Sequence, residues 1–225
     1  MSRSRQSARF DLGQAQPALM LTDSSPKTEN PARKTLVSDA QKCSLCPRMA
    51  ESRRVLSNLN GDWGAKALFV AEAPGRLGAQ VTGIPLSQDR TGMRFEELLK
   101  AMKWGRSCVF ITNAVLCNPR DENGNNDRPL AIEISNCSGF LRRTIDLVDP
   151  LLVVALGSVA LEALKGIRPH ECTVRQFCGR AVPWSQRYLG VLYHPSPRTQ
   201  TQRTWQEQVS DARSLATFAR QHLGI

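Results

Sequence analysis

Two sets of residues in this chain have types and spacings that could do chemistry. The first is four cysteines: Cys43 and Cys46 form a Cys-x-x-Cys pair, and Cys117 and Cys137 follow about seventy residues on. Ligand pairs separated by a βαβ-sized stretch can close on one metal centre only after folding, and would tie an N-terminal leader to the body of the chain. Four thiolates suit zinc or an iron–sulfur cluster, and spacing alone does not choose between them. Structural thiols would not need this ordered pairing. Seven cysteines, an odd number, in a chain without a secretory leader point to free thiols and ligation over a disulfide frame. Cys108 reads as a core strand residue. Cys172 and Cys178, with His170 nearby, lack a fourth partner for a second zinc site and read as ordinary thiols.

The second set sits where strands are expected to end. Apolar runs at Lys66–Ala71, Cys108–Thr112, Leu151–Leu156 and Tyr188–Tyr193 predict four strands, with a hairpin partner for the last around Cys172–Cys178. Between them, helical spacing runs over Met93–Trp104, from Pro129 to Val148, and from Gly157 to about Lys165. A last helix carries Trp205, Val209, Ala212, Ala216, Ala219 and Leu223 on one stripe. Strands alternating with helices predict a three-layer α/β/α sandwich around a mostly parallel four-stranded sheet.

Ligands of such sheets bind beyond the carboxyl ends of the strands. The residues leaving those ends are Glu72-Ala73-Pro74-Gly75, Asn113 through Cys117, Gly157-Ser158 and His194-Pro195-Ser196-Pro197. A carboxylate, a carboxamide, a glycine turn and an imidazole are thus expected to meet at one mouth. A carboxamide accepts and donates together. Pro195 and Pro197 stiffen the loop that carries His194. His170 and His222 look peripheral.

Composition narrows the partner. With 30 Lys plus Arg against 20 Asp plus Glu, the net charge of +10 favours a polyanion partner. No run approaches the roughly eighteen apolar residues of a membrane span, and no export signal is present, so a cytoplasmic, nucleoid-associated monomer is expected. Residues 1–35, rich in Ser, Arg, Gln, Pro and Thr, read as a loosely attached tail, and residues 36–225 as one domain.

The strand-exit motifs resemble those of the uracil-DNA glycosylase superfamily, in its iron–sulfur branches. The family 4 branch carries Gly-Glu-Ala-Pro-Gly, an Asn before its third cysteine, a Leu-Gly turn and a terminal His-Pro-Ser. Here these are similar to Glu72–Gly75, Asn113 with Cys117, Leu156-Gly157 and His194–Ser196. Gly78 to Gly83 and on to Gln88-Asp89 is instead similar to the B-type, family 5 branch. The resemblance runs from about Cys43 through the final helix.

It implies a monofunctional glycosylase that removes uracil from single- or double-stranded DNA, with a 4Fe-4S cluster on Cys43, Cys46, Cys117 and Cys137 in place of zinc. It further implies that His194 and Asp89 are catalytic, that Glu72, Ala73, Pro74, Gly75, Leu86 and Asn113 hold the base, and that Arg76, Arg90 and Pro195–Arg198 meet DNA. The chain departs from family 4 in three places. Gly78-Ala79 replaces an acid, Leu86 stands where a Phe stacks on the base, and Ala71 replaces the glycine before Glu72. The first departure makes Asp89 the acid, with Glu72 as the other carboxylate available to position water. A glycosylase for hypoxanthine or xanthine, or a non-catalytic damage-binding module, are the alternatives.

Overall fold

A computed structural model describes residues 30–225. The elements are α1 (Pro31–Lys42), β1 (Ala67–Ala71), α2 (Ala79–Thr82), α3 (Arg90–Met102), β2 (Val109–Asn113), α4 (Ala131–Val148), β3 (Leu152–Leu156), α5 (Ser158–Ile167), α6 (Val174–Phe177), β4 (Ala181–Trp184), β5 (Arg187–Leu192) and α7 (Trp205–Leu223). Four strands are parallel, and β4 adds a fifth, antiparallel one, in the order β2-β1-β3-β5-β4.

Side chains alternate across each strand, so each apolar run feeds two cores. Leu68 and Val70 of β1, with Val153 and Ala155 of β3, pack against Leu36 of α1, Leu141 of α4 and Leu164 of α5. The neighbouring residues Phe69 and Val154 face the other way, onto Phe95 of α3 and Leu215 of α7. Helices therefore cover both faces. The central strands are buried along their whole length, which is why they read as unbroken apolar runs instead of alternating ones.

Three expectations need correction. The hairpin partner of β5 is Ala181–Trp184, not Cys172–Cys178. The Thr173 hydroxyl accepts the Gln176 N–H and starts the short helix α6 there, while Ser185-Gln186 closes a tight hairpin into β5. Cys108 is exposed on a 3₁₀ turn just before β2, not in the core. Residues 31–35, assigned to the tail, belong to α1, which opens with an Asn30 cap and Pro31 in its first turn. Residues 1–29 of that tail lie outside the described residues. Leu36 and Ala40 bury α1 against α4, and Arg143 pairs with Asp39 between the two helices.

Candidate active site

The parallel order brings four strand exits to one edge: Asn113 ends β2, Glu72 follows β1, Gly157 follows β3 and His194 follows β5. Glu72, Gly157, Ser158 and His194 line a single cleft of about 830 Å³ there, together with Thr199 and Arg203. Gly157 is held at φ 91°, and a Cβ on it would stand 3.1 Å from the His194 Cβ, so only glycine lets the β3 and β5 exits lie side by side. The Thr199 hydroxyl donates to the His194 carbonyl at 2.9 Å and fixes the loop.

Burial shifts His194 and Glu72 in opposite directions. It pushes the His194 imidazole down to about 4, so the ring is neutral at physiological pH. It raises the Glu72 carboxyl, against the opposing pull of Arg128 and Arg198.

Asn113 lies outside the lining of that cleft, one strand from Glu72, in register with Ala71. It is buried, and its Nδ2 has no hydrogen-bond partner. Leaving such a donor unpaired costs about 1–3 kcal/mol. Orphaned polar atoms of this kind fit a missing ligand atom.

The turn after β1 is braced from the opposite side. Asn118 Nδ2 donates to the Pro74 carbonyl at 2.7 Å and to Asn126 Oδ1 at 3.0 Å, and Asn126 Oδ1 also accepts the Arg76 N–H at 2.9 Å. The sequence reading missed both asparagines. Their signal was an Asn-rich loop directly after Cys117, which links the third cysteine to the Pro74 turn. Asp89 caps α3, its Oδ1 accepting the Gly92 N–H at 2.8 Å. Its Oδ2 lies so near the turn that a Cβ on Gly75 would come within 2.7 Å of it, and one on Gly78 within 2.8 Å. The two glycines make room for that carboxylate.

Two residues of the expected site are buried. Leu86 is buried among Phe95 and Leu98 on the α3 face and does not line the cleft. Its backbone is held at φ 48°, with its carbonyl bonded by Arg106. Pro195 is buried too, leaving Arg198 as the exposed member of the Pro195–Arg198 loop. Arg76, Arg90 and Arg198 form no ion pair with a carboxylate among the described residues. Arg48 is instead consumed internally by Glu133 and Asp127. His170 is satisfied by the Leu161 carbonyl and the Cys172 N–H, and His222 packs on Phe218.

The four paired cysteines gather at one end of the sheet. Cys43 caps α1, Cys46 follows, Cys117 leaves β2 and Cys137 sits on α4. Burial pushes the Cys117 thiol up to about 11 and that of Cys137 to about 12, with Cys43 and Cys46 adding to both. Metal binding there would have to displace protons. Among the described residues no group of three or more His, Cys, Asp or Glu is arranged to hold a metal ion, at this end or at Cys172 and Cys178. The Cys178 thiol donates to Asp211 instead. The all-sulfur donor set fits a cluster chemically.

The uracil DNA glycosylase superfamily model matches residues 60–215, which span all five strands and the cleft. A Type-4 uracil-DNA glycosylase of Thermotoga maritima is 30% identical over 157 residues, 69% of this chain and 77% of the relative. Type-5 uracil-DNA glycosylases of Pyrobaculum aerophilum and Thermus thermophilus are 29% and 27% identical, covering 69% and 78% of this chain and 78% and 92% of those proteins. This chain belongs to the uracil DNA glycosylase superfamily. Its five-stranded, mostly parallel sheet with helices on both faces agrees with that assignment.

Proposed function

We propose that the chain is a DNA repair glycosylase that hydrolyses the N-glycosidic bond of uracil in DNA. The observation that carries this reading is the unpartnered Nδ2 of Asn113, buried on the same sheet edge as Glu72 and His194. Uracil O4 would accept from that amide while its N3–H donates to the amide oxygen. Cytosine presents an amino group and a bare N3 there, and would leave the amide mismatched. The same activity is that of the Type-4 and Type-5 relatives.

The target nucleotide must leave the stack to reach the cleft, because its glycosidic bond is inaccessible in a duplex. Arg76, Arg90 and Arg198, which form no ion pair with a carboxylate among the described residues, would hold the phosphates on the way. Bond breaking leaves cationic character on the sugar and negative charge on uracil O2. A neutral His194 can donate its N–H to that oxygen where charge develops. Asp89 Oδ2, set against the Gly75–Gly78 turn, would position water and offset the sugar cation. None of the cleft-lining side chains is a lysine, so the reaction would stop at base release without cutting the strand.

The same reading assigns a 4Fe-4S cluster to Cys43, Cys46, Cys117 and Cys137, supplying structural cross-linking. It would join the end of α1 to the β2 exit and α4. The test is release of free base from uracil-containing oligonucleotides, single-stranded and paired with guanine, by protein of known iron content. Uracil release with an intact abasic strand is expected. No release from either substrate overturns the reading.

A further inference from the structure

Between Leu192 and Trp205, Pro195 alone is buried, so apolar packing does little to fix the loop that carries His194. Polar ties from α7 do that instead. Gln208 lies near the start of α7 and is 2% exposed. Its Nε2 carries two protons and places both: one on the Arg203 carbonyl at 2.9 Å, the other on the Thr199 hydroxyl at 3.3 Å. The first tie is to a fixed point. Asp211, one turn further along α7, holds the Arg203 guanidinium through two hydrogen bonds of 2.7 and 2.8 Å. The second tie sets the direction of the next one. With its oxygen accepting from Gln208, Thr199 turns its own proton towards the carbonyls of His194 at 2.9 Å and Ser196 at 2.8 Å. The Gln208 Oε1 has no partner among the described residues. An unpaired buried acceptor is destabilising, so this amide is a poor filler of space and a useful donor.

We infer that Gln208 is a positioning residue for His194, acting through the hydroxyl of Thr199. The inference rests on the glycosylase reading and adds what holds the imidazole where charge develops on the departing base. A donor displaced by about an ångström loses much of its effect on a transition state. The Gln208–Thr199 chain of donors ends on the backbone of His194 itself, and Thr199 and His194 line the same cleft.

Gln208→Met keeps the side chain's length and removes the donor; Thr199→Val does the same for the hydroxyl, and Thr199→Ser retains it. Single-turnover uracil release should fall about tenfold in Gln208→Met and Thr199→Val, with affinity for uracil-containing DNA held within about twofold. Thr199→Ser should recover most of the rate. In a His194→Ala background, Gln208→Met and Thr199→Val should each cost less than about twofold, because no imidazole is left to position. Equal losses with and without the imidazole, a Thr199→Ser protein as slow as Thr199→Val, or full activity in Gln208→Met would each overturn the inference. A wild-type protein that releases no base would instead overturn the glycosylase reading beneath it. The carbon-13 resonance of the labelled His194 imidazole then tests the positioning role: it should move in Gln208→Met, and an unmoved resonance would overturn that role.

Discussion

At Asp89 one carboxylate oxygen accepts the Gly92 N–H that opens α3, while the other faces the backbone of Gly75 and Gly78. Asparagine caps a helix as well as aspartate does, so Asp89→Asn separates the two duties. Melting temperature should hold within a degree or two, and kcat should fall by about 100-fold or more with little change in affinity for uracil-containing DNA. Equal loss of turnover and binding would move the acid to Glu72. His194 gives a second, pH-based prediction. Its folded value of about 4 lies below the ordinary 6.5. Between these values the unfolded chain takes a proton that the folded chain refuses. Stability contributed by this residue is therefore complete above pH 6.5 and declines as the pH drops towards 4. A carbon-13 titration of the labelled imidazole should place its midpoint near 4; a midpoint near 6.5 would return the ring to a solvated loop.

At the scale of elements, β1, β2, β3 and β5 were legible because buried parallel strands leave unbroken apolar runs, each ending at a turn. The exits of those strands were legible for the same reason, and the parallel order puts Glu72, Asn113, Gly157 and His194 on one edge. The start of α1 was not recognised, although Asn30-Pro31 is a helix-opening pair, because its polar face outweighs its two buried residues, Leu36 and Ala40. The β4 edge strand hid because Pro183 interrupts it, which an edge tolerates and a pattern search penalises. Leu86 packs with α3 from a backbone held at positive φ, and no spacing rule anticipates that. The Asn118–Asn126 brace joins residues 74, 76, 118 and 126, a contact set that local pattern does not encode.

Across the whole molecule, the cysteine end and the cleft are joined by the β2 exit. Cys117 is followed at once by Asn118, which fixes the Pro74 turn, and Arg48, two residues past Cys46, clamps Asp127 and Glu133. The binding edge is thus stiffened from the end where a cluster would sit. What the account needs most is that Asn113 and His194, three strands apart in the sheet, act on one base. The most direct measurement is single-turnover uracil release by the wild type, Asn113→Ala, His194→Ala and the double variant on one substrate. Groups that act on a single bound base are strongly non-additive. Each single change should cost about 100-fold, and the double change far less than the product of the two. Multiplying losses, or free release by either single variant, would contradict a shared pocket.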